Sequence, residues 1–244
     1  MLVSPQTYIF KSMNFIVKII SLGGSIVVPD QVDTEFLKNF LALVKNYLDA
    51  GRAKKLVFVV GGGSTARNYQ KAYREIAAAP DNDNQDWIGI AATRLNGELL
   101  KALFSDYCTD DVVTDPTAPI SFKGQVLVAA GWKPGFSTDF DAVLLGERFK
   151  ADTVINLSNI SKVFSDDPKK NPDAVPLDKI SWDDFKKMVG SEWVPGKNVP
   201  FDPIATAKAA ELGMKVIIAA GKDIENLKAI LEDRMEFFKG TVIG

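Results

Sequence analysis

The sequence predicts an α/β fold: a largely parallel central sheet with helices on both faces. Three observations predict it. Short runs rich in Val and Ile alternate with stretches of helical periodicity. The runs are apolar at successive positions, as strands buried on both faces are. Two of them end in glycine clusters, SLGGS at 21–25 and VVGGGSTAR at 59–67, where a strand turns into a helix.

Taken in order, NFIVKIISL predicts a strand from Asn14 to Leu22. Gln31 to Leu48 places Phe36, Leu37, Phe40, Leu41, Val44 and Leu48 at helical spacing, with Gly51 just beyond. Leu56 to Val60 predicts a second strand and Thr65 to Ala79 a second helix. A third helix is expected from Asp86 to Phe104, with Ile88, Ala91, Leu95, Leu99 and Leu103 as its core stripe. Further strands are expected at Val126 to Ala129, Thr153 to Leu157 and Met214 to Ala219, and helices at Asp139 to Lys150, Pro203 to Leu212 and Ile224 to Leu231. The polar, proline-bearing stretch from Val163 to Ile180 reads as a surface hairpin or loop.

A chain of 244 residues, 46% hydrophobic and 25% charged, can bury a full core, and no linker announces a domain boundary. Residues 13–244 are expected to form one domain and residues 1–12 an extension. The net charge of −2, without basic runs, excludes general attraction to nucleic acid. No apolar run has the length of a membrane span and the N-terminus lacks a signal-peptide pattern, so a cytoplasmic protein is expected. Cys108 has no intrachain partner, which fits a reducing compartment, and is expected to be a half-buried helix residue. The absence of histidine excludes Ser-His-Asp and Cys-His catalysis and His-ligated zinc.

Glycine after a buried strand admits close backbone approach, and the free N–H groups of a following helix suit an anion such as phosphate. Either turn alone is equally well explained as a tight connection. Two together, with Arg67 one helical turn past Gly63, favour phosphate, because a guanidinium forks onto its oxygens. No GxxxxGK[ST] or GxGxxG occurs, which disfavours Walker-type nucleotidases and dinucleotide-dependent oxidoreductases.

The ordered series SLGGS, VVGGGSTAR, QDWIGIAATRLNG, GWKPGFSTDFDAVLL, INLSNISKVFSDDPKKNPDA, PFDPIATAKAA and terminal GTVI resembles uridylate (UMP) kinase, in the archaeal-type branch of the amino acid kinase superfamily, from about Asn14 to the C-terminus. The resemblance implies an αβα sandwich, an acceptor-binding N-terminal lobe, an ATP-binding lobe from about residue 151, transfer of the γ-phosphoryl of ATP to UMP with Mg2+, and a homo-oligomer, usually a hexamer. It places ATP phosphates at Gly23, Gly24 and Ser25, with Gly63, and the UMP phosphate at Gly62 and Arg67. It implies that Asp86 bonds the acceptor ribose, although a helix-capping role would also suit it. Gly131, Pro134, Gly135, Phe136, Ser137 and Thr138 would surround UMP; Ser158, Phe164 and Asp167 would contact the ATP ribose and base. Asn159 and Asp202 fall near the transferred group, though Asp before Pro also opens helices.

The chain departs from the family at two places. Ser21 stands where many amino acid kinases have lysine, and Ser161-Lys162 stands where the family commonly reads Asp-Gly. Lys162 is the expected replacement cation near the ATP phosphates, with a solvent-facing hairpin lysine as the alternative. These departures keep open a non-catalytic ATP-binding or storage protein on the same fold, or a kinase with another acceptor.

Overall fold

A computed structural model describes residues 15–190 and 199–244; the expected extension at 1–12 lies outside them. The elements run β1 (Ile16–Leu22), α1 (Gly24–Val27), α2 (Thr34–Asp49), β2 (Lys54–Val60), α3 (Gly63–Ile76), α4 (Asn82–Leu103), β3 (Val126–Ala129), α5 (Thr138–Phe149) and β4 (Thr153–Ser158). They continue through β5 (Val163–Phe164), β6 (Pro176–Leu177), β7 (Lys179–Ile180), α6 (Trp182–Val189), α7 (Pro203–Glu211), β8 (Lys215–Ala220), α8 (Ile224–Leu231) and β9 (Thr241–Ile243).

The main sheet has the order β3-β2-β1-β4-β8-β9-β7. Strands β3 to β8 along that row are parallel, whereas β9 runs antiparallel to β8. Its alternating side chains divide the core. Ile20, Leu22, Phe58 and Val60 face a cluster with Phe40, Leu48, Phe104 and Leu227, while Ile19, Val57 and Val59 face Val143, Leu145, Phe185 and Ala205. Helices thus cover both faces, as the two-sided apolar strands require. The 163–180 stretch contains the expected hairpin, with β5 pairing β6 antiparallel.

Three sequence expectations change. Helix α4 begins earlier, capped by Asp81, whose carboxylate accepts from Asn84 N at 2.8 Å; Asp86 is therefore inside the helix and has no capping role. The expected stripe on α4 holds only in part: Leu99 and Leu103 pack against the core, but Leu95 is 63% exposed and Ala91 is exposed, while Ile90, Thr93, Asn96, Gly97 and Leu100 are buried. Polar Thr93 and Asn96 can turn inward because both find hydrogen-bond partners there. Cys108 is buried in the loop after α4, not half-buried in a helix, and burial raises its thiol pKa. Helix α6 and strand β9 were not anticipated. The α6 signal is short but present: Ser181 caps the helix by accepting from Asp184 N.

The chain leaves β1 in one direction towards β2 and β3, then returns to place β4 on the other side of β1. The switch point is the cleft at the carboxyl ends of β1 and β4, where open α/β sheets bind ligands. The two glycine turns meet there. A Cβ on Gly24 would lie 2.1 Å from Gly63 N and 2.6 Å from Gly61 C, and Gly63 has φ +64°. Gly24→Ala should therefore destabilise the protein by roughly 3 kcal/mol or more, against about 1 kcal/mol for Gly135→Ala, which meets no neighbour but has φ +84°. Urea denaturation of both variants checks the ranking.

Candidate active site

Each glycine turn opens a helix. Gly23 N–H is spent on Leu157 O at 2.8 Å and Gly61 N–H on Leu22 O at 3.0 Å, contacts that clamp the turns to the sheet. Gly24 and Ser25 begin α1, Gly62 is the N-cap of α3 and Gly63 its first residue, so their N–H groups precede the first intrahelical acceptors. Arg67 is exposed one turn into α3, and its Nη2 donates to Pro29 O at 3.0 Å. A guanidinium carries further N–H donors besides this one.

The loop from Ala130 to Ser137 follows β3 at that end and is tied to α4. Asp86 Oδ2 accepts from Gly135 N at 2.8 Å, Thr93 Oγ1 accepts from Gly131 N at 2.8 Å, and Arg94 Nη2 donates to Trp132 O at 3.2 Å. One turn further along α4, Asn96 Nδ2 donates to Gly61 O at 2.8 Å, so the helix holds both the second glycine turn and the loop. Burial raises the Asp86 pKa, and the Gly135 N–H partly offsets the rise. Trp132, Phe136 and Phe140 form a continuous aromatic row with ring centroids 5.2 and 4.8 Å apart, and Lys133 Nζ lies 3.8 Å from the Trp132 centroid. Ser137 caps α5 by accepting from Phe140 N at 3.2 Å, and Thr138 is the first residue of that helix.

Ser21 Oγ donates to Asp139 Oδ1 at 2.9 Å, and Asn156 Nδ2 donates to the same oxygen at 3.3 Å. Asp202 N approaches Asp139 Oδ2 at 3.4 Å, while Asp202 Oδ1 caps α7 by accepting from Ala205 N at 2.7 Å. Asp202 is thus a helix cap, as its place before Pro203 suggests, and it also adjoins the cleft acid Asp139. Burial pushes Asp139 up to about 6, opposed by the Ser21 hydroxyl and reinforced by Asp202. Burial likewise pushes Asp141 up to about 7, and it raises Asp202. No lysine bonds these three acids among the described residues.

The ATP-side residues are spread along the edge. Ser158 ends β4, with its carbonyl accepting from Gly221 N, and Asn159 is exposed just beyond. Phe164 is half-buried on β5, and Asp167 organises the hairpin turn by accepting from Lys169 N at 3.0 Å. Lys162 pairs with Asp178 across the hairpin. Lys18 turns away from the cleft to pair with Asp233. Sequence reasoning missed Arg94, Asn96, Asp141 and Lys222. Lys222 follows β8 at the carboxyl edge and bonds Asp33 at 2.6 Å; a lysine directly after a strand and Gly221 was its available signal.

The fold and this edge fit one family. The chain belongs to the amino acid kinase family, whose model matches residues 17–220. Within it, the chain is similar to uridylate kinases of archaea. It is 32% identical over 229 residues to uridylate kinase of Pyrococcus abyssi, covering 92% of this chain and 98% of the relative. It is 34% identical over 230 residues to that of Thermoplasma volcanium, covering 90% and 95%. The crystal structure of uridylate kinase from Archaeoglobus fulgidus superposes with a TM-score of 0.76 at 33% identity, covering 93% of this chain and 99% of that one. UMP kinase from Bacillus anthracis, at 18% identity and a TM-score of 0.73, shares the fold.

The raised acids give stability a pH dependence. An unfolded aspartate ionises near 3.8, so as pH rises from about 4 through 6 and 7 the folded chain must charge Asp139 and Asp141 in unfavourable surroundings, and stability falls. The melting temperature should be higher at pH 5.5 than at pH 8, and Asp141→Asn should raise it at pH 8 and flatten the profile, as a buffer-matched thermal scan would register.

Proposed function

We propose that this protein is a UMP kinase that transfers the γ-phosphoryl of ATP to UMP, giving UDP for pyrimidine nucleotide synthesis. The observation that carries the reading is the direct contact of two glycine turns at the switch point of a sheet shared with archaeal uridylate kinases. Phosphoryl transfer needs two nucleotides in line and their charge neutralised more than it needs a strong base, so the lack of histidine is no obstacle.

ATP phosphates lie over Gly23, Gly24, Ser25 and Gly63, with Asn159 nearby, and the ATP ribose and base against Ser158, Phe164 and Asp167. The UMP phosphate meets Gly62 and Arg67; Asp86 holds the ribose; Gly131 and Pro134 to Thr138 surround the base. Asp86 supports this arrangement, since its bond to Gly135 N already joins the ribose site to the loop. Asp202 organises the transfer region through its contact with Asp139. Lys162 contributes positive charge by exchanging Asp178 for a phosphate oxygen. Mg2+ arrives with ATP as the MgATP substrate, its main ligands nucleotide oxygens.

The protein acts in the cytoplasm as a homo-oligomer, a hexamer by resemblance. The apolar side chains exposed on α3 and α4, Tyr69, Ile76, Trp87 and Leu95, support association through these helices. Leu95→Asp should then lower the mass measured by light scattering, and an unchanged mass would remove this face from the assembly.

ADP release from MgATP should depend on UMP, at roughly 1 to 100 per second, and exceed release with CMP, AMP or no acceptor. Arg67→Ala should lower kcat/KM for UMP by at least tenfold, about 1.4 kcal/mol of transition-state stabilisation. ATP binding without acceptor-dependent ADP release would instead establish a nucleotide-binding protein on a kinase fold.

A further inference from the structure

Trp132 is gripped at both ends of its main chain by side chains from different helices. Arg94 Nη2 on α4 donates to Trp132 O at 3.2 Å and approaches Gly131 O at 3.5 Å. From the opposite side, Asp141 on α5, 1% exposed, accepts from Trp132 N at 3.2 Å. Beyond the grip, Lys133 and Gly135 are exposed and the Trp132 ring leads into Phe136.

Neither side chain is an economical choice for packing alone. Asp141 buries a second carboxylate oxygen, and Arg94 buries its Nε, with no hydrogen-bond partner among the described residues. An apolar residue at either position would avoid that desolvation. Their shared contact is the Trp132 main chain, so the loop is what both act upon.

We propose that Arg94 and Asp141 are positioning residues for the acceptor nucleotide: together they fix the carbonyl and N–H of Trp132 and so set where Phe136, Ser137 and Thr138 meet it. This rests on the assignment of the 130–138 loop to UMP. Arg94 acts through the carbonyls that precede the aromatic row, and Asp141 fixes the rotation of the same peptide segment. Thr93 adds a third restraint at Gly131 N.

The test is initial-rate kinetics on the full chain, varying UMP and MgATP in turn, with Arg94→Met, Arg94→Lys, Asp141→Val, Asp141→Asn and, for the loop assignment itself, Asp86→Asn. Arg94→Met and Asp141→Val should each raise the KM for UMP at least tenfold while the KM for MgATP stays within twofold. Asp141→Asn, which keeps an acceptor oxygen for Trp132 N–H, should recover most of the loss, and Arg94→Lys part of it. An unchanged KM for UMP in the first two variants, or an equal rise in both KM values, would overturn the proposal. Should Arg94→Met or Asp141→Val fail to fold, Arg94→Lys decides: a rise in the UMP KM of threefold or more, selective over MgATP, supports the proposal and a smaller or unselective one refutes it. If Asp86→Asn also leaves the UMP KM unchanged, the loop assignment has failed; if it raises that KM while the Arg94 and Asp141 variants do not, only the positioning roles have.

Discussion

The turns after β1 and β2 touch backbone to backbone, and no side chain fits between Gly24 and Gly61 to Gly63. That contact places the openings of α1 and α3 side by side at one end of the sheet. It also makes the turns depend on one another: Ser64 N–H bonds Val28 O at 2.8 Å, so the second turn is tied to the segment leaving the first. Two helix openings brought this close would suit the proposed reaction, in which one phosphate attacks another. Their electrostatic value is greatest in a cleft from which water is excluded.

Around this contact the protein uses buried polar groups to hold loops instead of to add stability. Asn96 binds the second glycine turn, and Thr93 and Arg94 bind the loop after β3; Thr93 and Asn96 are buried and Arg94 is half-buried beside them on α4. Ser21 and Asn156, both neutral donors, satisfy one oxygen of Asp139. Burial raises the pKa of that acid, and the Ser21 hydroxyl offsets only part of the rise. The cations along the rim, Arg67, Lys162 and Lys222, each already hold an oxygen partner.

The strands and their order of appearance were legible because two-sided burial writes a continuous apolar run, as in KLVFVV of β2. The glycine turns were legible as turns, but their mutual contact was not, since it joins Gly24 to residues of another turn. Helix α4 misled for a physical reason. Its apolar spacing marks Leu95 as core, whereas the inward face carries Thr93 and Asn96, whose burial depends on acceptors supplied by distant loops. Partners separated by 118 residues, as Ser21 and Asp139 are, leave no local signal. Strand β9 is three residues, antiparallel to β8 and next to the edge strand β7, too short for a pattern to declare itself.

The central claim is that the interlocked turns hold a donor and an acceptor nucleotide in line at the same time. Isothermal titration with a bisubstrate compound, adenosine and uridine joined through a polyphosphate bridge, tests it most directly. Simultaneous occupancy predicts binding tighter than either ATP or UMP alone by at least ~10². Affinity no greater than that of ATP alone would contradict the account, because it would mean that the second turn does not receive a nucleotide while the first is filled.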